Sequence, residues 1–170
     1  MRLFFALWPT EGARTKLAAL AALAARDTQG RPVPAEKLHV TLAFLGEVAP
    51  ERIDSARDAA SRVSGNGFRL AFDRVGSFRD ARVAWAGCAR TPPALADLQR
   101  GLAGELERAG FAPEERRYTP HITLARRTRR ELAPGPVDAI AWTVRQYALV
   151  RTDFGKGTYT VLKEWRLGGR

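Results

Sequence analysis

Leu38, Val40, Leu42 and Phe44 alternate with His39, Thr41 and Ala43, and the same period of two returns where Ile122 and Leu124 alternate with His121, Thr123 and Ala125. Successive side chains of a strand point to opposite faces, so both segments are predicted strands. Their aliphatic residues face a core, and one His and one Thr share the other face. By the same parity Phe44 belongs with Val40 and Leu42 in the core, and Tyr118 is likewise expected to pack rather than to stack a ligand. A strand over Arg2 to Trp8 precedes a helix from about Glu11 to Arg26, with Thr10 as N-cap and Leu17, Leu20 and Leu23 as its apolar stripe. Thr28 to Glu36, carrying Gly30, Pro32 and Pro34, reads as a loop. The first His strand stops at Gly46, a second helix fits Pro50 to Val63, and Ser64-Gly65-Asn66-Gly67 is a turn. Strands over Phe68 to Val75 and Arg82 to Ala86 are followed by a third helix from Pro93 to about Ala109, closed by Gly110. A loop over Phe111 to Arg117 then leads into the second His strand. Two alternating runs, Ala141 to Thr152 and Thr158 to Leu167, flank Asp153-Phe154-Gly155-Lys156-Gly157 and read as a hairpin.

The two halves share an order. A strand, a helix and a loop lead to His39; a strand, a helix and a loop lead to His121, 82 residues later. This pattern is a diverged internal duplication rather than a short-period repeat. It predicts one α+β unit over residues 1–170, monomeric and two-lobed, with the His strands facing each other across a cleft.

Composition narrows the setting. The chain is 45% hydrophobic, enough for a sizeable core, yet the Leu3 to Trp8 run is too short to span a membrane. No signal-peptide pattern is evident, and Cys88 is the single cysteine, so a cytoplasmic protein with a structural thiol is expected. Twenty-eight basic residues against 18 acidic ones leave a net charge of +10, and the excess is arginine, whose planar fork pairs well with phosphate. The charge favours a nucleic-acid or nucleotide partner; composition alone fits a merely soluble basic surface equally well.

Chemistry enters with the only two histidines, His39 and His121, each followed two residues later by Thr41 and Thr123. An unperturbed imidazole titrates near ~6.5, so a pair can divide the roles of general base and general acid at neutral pH. Hydrolysis of a phosphodiester needs both, and two threonine hydroxyls can donate to the non-bridging oxygens. A strained 2′,3′-cyclic phosphate is a suitable target. No ligand cluster of metal-binding spacing, Walker-type loop or Gly-x-Ser-x-Gly elbow is present, so no metal or cofactor is expected. Residue chemistry leaves open which histidine is the acid. It also leaves open which arginine meets the phosphate: Arg126 directly follows the second motif but has the wrong parity unless the strand bulges, whereas Arg127 has the right parity.

The pair His39-Val40-Thr41-Leu42 and His121-Ile122-Thr123-Leu124 resembles the two H-x-T-x motifs of the 2H phosphoesterases, and within them the LigT-type RNA 2′,3′-cyclic phosphodiesterases, or 2′-5′ RNA ligase family. The resemblance extends to Arg2-Leu3-Phe4-Phe5-Ala6-Leu7, to Leu38 through Gly46, to Tyr118 through Arg126, and to Tyr159-Thr160-Val161-Leu162. It implies a duplicated fold whose two antiparallel sheets line a central cleft with helices outside. It also implies metal-independent opening of RNA 2′,3′-cyclic phosphate ends, or of nucleotide 2′,3′-cyclic phosphates, to 2′-phosphomonoesters. In that family picture His39 is the proton donor, His121 the proton acceptor, and an arginine after the second motif contacts phosphate. Rival activities are 2′-5′ RNA ligation, turnover of a small cyclic nucleotide, and RNA binding without catalysis.

Overall fold

A computed structural model describes residues 1–112 and 116–168. Its strands are β1 (Arg2–Leu7), β2 (Arg31–Pro32), β3 (Val40–Glu47), β4 (Phe68–Phe78), β5 (Val83–Gly87), β6 (His121–Arg126), β7 (Gly135–Val144), β8 (Gln146–Asp153) and β9 (Thr158–Arg166). Three helices, α1 (Glu11–Thr28), α2 (Ile53–Ser61) and α3 (Pro93–Arg108), complete the fold. The strands run in the order β7-β4-β5-β6-β3-β1-β8-β9, with every pair antiparallel and β2 added beside β6. Two halves of four strands meet at the centre through one residue pair, Val40 with Ile122. That seam places the two His-x-Thr segments side by side, although 82 residues separate the histidines.

The helices cross between the halves. α1 follows β1 in the chain but packs on β5, β6 and β7, while α3 follows β5 and packs on β3. Each His strand is therefore backed by the helix of the other repeat. Between sheet and helices lies the main core, where Leu3, Phe5 and Leu7 of β1, Val40 and Leu42 of β3, and Ile122 and Leu124 of β6 meet Leu17 of α1 and Leu95, Leu98, Leu102 and Leu106 of α3. The alternate residues of β1, Phe4 and Ala6, form a small second cluster with Ala148 and Val150, flanked by Trp8 and Tyr159. β1 is thus buried on both faces, as a central strand must be to stay out of water.

Several expectations require correction. The apolar stripe of α1 runs through Ala13, Leu17, Ala21, Ala24 and Ala25, and Leu23 is 48% exposed. Leu17 is fully buried and Leu20 packs against the core as expected, so only Leu23 leaves the inner face, where small alanines let α1 approach the sheet closely. Thr10 is the N-cap residue but its side chain makes no capping hydrogen bond. Pro50 to Arg52 forms a 3-10 turn ahead of α2, and β4 continues past Val75 to Phe78. The loop after α1 contains β2, which pairs Arg31 with Arg126 and Pro32 with Ala125. The run from Ala141 to Thr152 is two strands, not one. Its first residues end β7, which pairs with β4, and the remainder is β8, which pairs with β1 in the other half. The loop predicted over 111–117 falls partly outside the described residues. Among the described residues no helix is long and apolar enough to cross a membrane.

Candidate active site

Where β3 and β6 meet, His39, Thr41, His121 and Thr123 line one cleft of about 480 Å³, joined by Arg31, Lys37, Arg126, Arg127, Phe78 and Tyr159. All six residues singled out from the sequence are brought together there. Each imidazole is held by its own strand entry. His39 Nδ1–H donates to the Lys37 carbonyl at 2.7 Å, and His121 Nδ1–H donates to the Thr119 carbonyl at 2.9 Å. A carbonyl can only accept, so both contacts put the proton of a neutral ring on Nδ1 and leave Nε2 as the basic nitrogen. The Thr41 hydroxyl donates to His39 Nε2 at 3.2 Å.

The surroundings of the two rings differ. Phe4, Trp8 and Tyr159 enclose His39, with ring centroids 4.9, 5.3 and 5.5 Å away. Phe78 meets His121 edge-on at 5.0 Å. Burial in that aromatic cage lowers the His39 pKa to about 4; the Lys37 carbonyl opposes the shift, and the positive charges of Arg126 and of His121 add to it. His39 is consequently neutral at pH 7. Parity in β1 carries the signal for two cage members, since Phe4, Ala6 and Trp8 lie on one face. Phe78 lies beyond the strand end expected at Val75, and only the prolonged β4 brings it to His121.

Both His strands carry the same irregularity. In β3 the register with β1 skips Leu42, between Thr41 and Ala43; in β6 the register with β5 skips Leu124, between Thr123 and Ala125. A bulge places two consecutive residues against one partner and inverts the alternation beyond it. Arg126 therefore turns into the cleft despite its parity, and Arg127, at φ 55°, lines it as well. Phe44 occupies the position in the first repeat that Arg126 holds in the second. It is 41% exposed, correcting the expectation that it packs in the core.

Tyr118 is packed as expected. Burial pushes its phenol well above the ordinary range, and its O–H donates to the Thr41 carbonyl at 3.1 Å, a second tie between the halves beside the Val40–Ile122 pair. Cys88 is partly buried, and burial with the nearby Asp73 carboxylate raises its thiol to about 11, which keeps it protonated and un-nucleophilic.

Residues 9–155 match the model of the 2′-5′ RNA ligase superfamily. The RNA 2′,3′-cyclic phosphodiesterase of Escherichia coli K12 is 35% identical over 169 residues, covering 98% of this chain and 96% of that protein. The Thermus thermophilus protein of the same name is 34% identical over 190 aligned residues, 99% of this chain and 91% of the relative. The crystal structure of E. coli LigT complexed with 3′-AMP superposes with a TM-score of 0.89 at 34% identity, over 98% of this chain and 97% of that one.

Proposed function

The chain belongs to the 2′-5′ RNA ligase superfamily, and from that membership and the cleft we propose that it is an RNA 2′,3′-cyclic phosphodiesterase, a hydrolase that opens the cyclic phosphate at an RNA 3′ end to a 2′-phosphomonoester. The observation that carries the reading is the pair of imidazoles in one cleft, each with Nδ1 committed to a backbone carbonyl and Nε2 left for proton transfer. His121 Nε2 accepts a proton from water as its oxygen attacks phosphorus. His39 donates a proton from Nε2 to the departing 3′ oxygen as the P–O3′ bond breaks. The Thr41 and Thr123 hydroxyls and the guanidinium groups of Arg126 and Arg127 bind the non-bridging oxygens, where negative charge grows.

The His39 assignment has a physical requirement. Its ring donates from Nε2 only as the cation, because Nδ1–H is already held by Lys37. Burial disfavours that cation where no counter-charge is at hand. A phosphodiester anion supplies the missing counter-charge, so substrate binding itself arms the acid. The residues named all come from one chain, and we assign the activity to a monomer working in the cytoplasm without a metal. Incubation of adenosine 2′,3′-cyclic phosphate with the protein in excess EDTA tests the reading. Adenosine 2′-phosphate is the expected product. No turnover, turnover that requires added Mg²⁺ or Zn²⁺, or formation of the 3′ isomer contradicts it.

A further inference from the structure

β3 and β6 pair only through Val40 and Ile122 among the described residues, so the backbone ladder fixes their spacing at one point. The antiparallel sense about that pair brings Thr41 toward the His121 end of β6 and His39 toward Thr123. Tyr118 crosses the seam at this end: its O–H donates to the Thr41 carbonyl at 3.1 Å. Both ends of that bond lead to an imidazole. On one side the Thr41 hydroxyl donates to His39 Nε2 at 3.2 Å. On the other, Tyr118 is followed directly by Thr119, whose carbonyl holds His121 Nδ1–H at 2.9 Å. The link from Tyr118 to His121 is stiff, because the Pro120 ring fixes its own φ and restricts Thr119 to extended backbone.

The two repeats support their bulges differently. In the second, the carbonyl of the skipped residue Leu124 accepts from the backbone N–H of Val33 at 2.8 Å. In the first, the matching Leu42 carbonyl has only the Gln99 side chain of α3, with Nε2 at 3.5 Å, the outer limit of a hydrogen bond. Side chains therefore hold the β3 side of the cleft where backbone holds the β6 side, and of the two the Tyr118 bond is the shorter. The Tyr118 ring packs against the main core and does not line the histidine cleft. On the reading that the cleft opens 2′,3′-cyclic phosphate ends, we propose that Tyr118 is a positioning residue for that reaction: by joining Thr41 to the segment that carries His121, its hydroxyl sets the spacing of the two imidazoles about the phosphate. Acid and base must reach opposite sides of one phosphorus, and a misplacement of about 1 Å can cost about 10²-fold in rate.

Tyr118→Phe removes the hydroxyl and keeps the ring. With adenosine 2′,3′-cyclic phosphate it should lower kcat by about 10- to 10²-fold and leave KM within about threefold, because the groups that bind the phosphate remain. An analogue with sulfur in place of the bridging 3′ oxygen needs no proton on its leaving group, so on it the deficit should shrink to about threefold or less. A variant that is merely loosened slows both substrates alike. Gln99→Ala weakens support of the same bulge without touching the link to His121, and should keep kcat within about threefold. Rates are taken per folded molecule, with the folded fraction read from urea titration, so a destabilised variant still decides the matter. Near-wild-type kcat in Tyr118→Phe, an equal deficit on the oxygen and sulfur substrates, or an equal loss in Gln99→Ala would overturn the proposal and leave the cyclic phosphodiesterase reading standing. Absence of turnover by the unaltered protein removes that reading, and this proposal with it.

Discussion

Protonation of His39 is the perturbation whose cost can be worked from the structure. Its folded-state pKa of about 4 lies below the value of 6.5 expected of an exposed ring. Between those two values the unfolded chain binds more protons than the native one, so stability falls as pH falls through this window. The contribution is fully present above 6.5 and lost once pH has dropped through about 4. The gap corresponds to about 3 kcal/mol at the limit, and to about 2 kcal/mol by pH ~5, with water at the cleft mouth making these upper values. Other groups titrate in the same range, so the useful quantity is a difference. Urea unfolding of the wild-type protein and of His39→Gln, at pH ~7.5, ~5.5 and ~4.5, cancels the shared terms, since glutamine retains a donor for the Lys37 carbonyl but no titrating ring. The wild-type advantage should shrink steadily as pH falls. Imidazole NMR gives the companion measurement: the His39 ring should stay neutral down to about pH 5, and inorganic phosphate in the cleft should raise its titration point. Parallel loss of stability in the two proteins, or a His39 titration near ~6.5 in the free protein, would refute the aromatic-cage argument.

His39→Ala and His121→Ala should each lower kcat by at least ~10²-fold, and the double variant should be little worse than either, because the two rings act as a unit. Replacing the bridging 3′ oxygen of the substrate by sulfur gives a leaving group that needs no proton, so it should rescue His39→Ala and not His121→Ala; the opposite pattern exchanges their roles. Thr41→Ala and Thr123→Ala should cost about 10- to 10²-fold, measured as kcat at saturating substrate, since each removes one neutral donor. Gly76→Ala should destabilise the protein by about 1–3 kcal/mol in urea titration, because a Cβ there would lie 2.5 Å from Trp85 Cζ2. Trp85 cannot swing aside freely, as Gly87 and Phe78 border the same ring, so activity should fall as well through the Phe78 contact with His121.

The chemistry of this protein was legible in one dimension because it is carried by strands. Period-two alternation alone puts His39 with Thr41 and His121 with Thr123, and their recurrence in matching contexts marks two halves of one site. The same alternation misplaces Phe44 and Arg126, since a bulge at Leu42 and at Leu124 inverts it within two residues. A bulge is set by how a strand pairs with its neighbour, and neither β1 nor β5 is adjacent in sequence to the strand it distorts. The run from Ala141 to Thr152 fails for a related reason: nothing local distinguishes a strand that continues from one that leaves β4's side for β1's. The low pKa of His39 likewise belongs to the assembled fold. Phe4 and Trp8 come from the first strand and the residue just after it, Tyr159 from the last, and only their convergence around the ring keeps water from its charge. Local periodicity therefore determined which groups share a face, while long-range pairing decided which faces meet, where the alternation breaks, and how much solvent each imidazole retains.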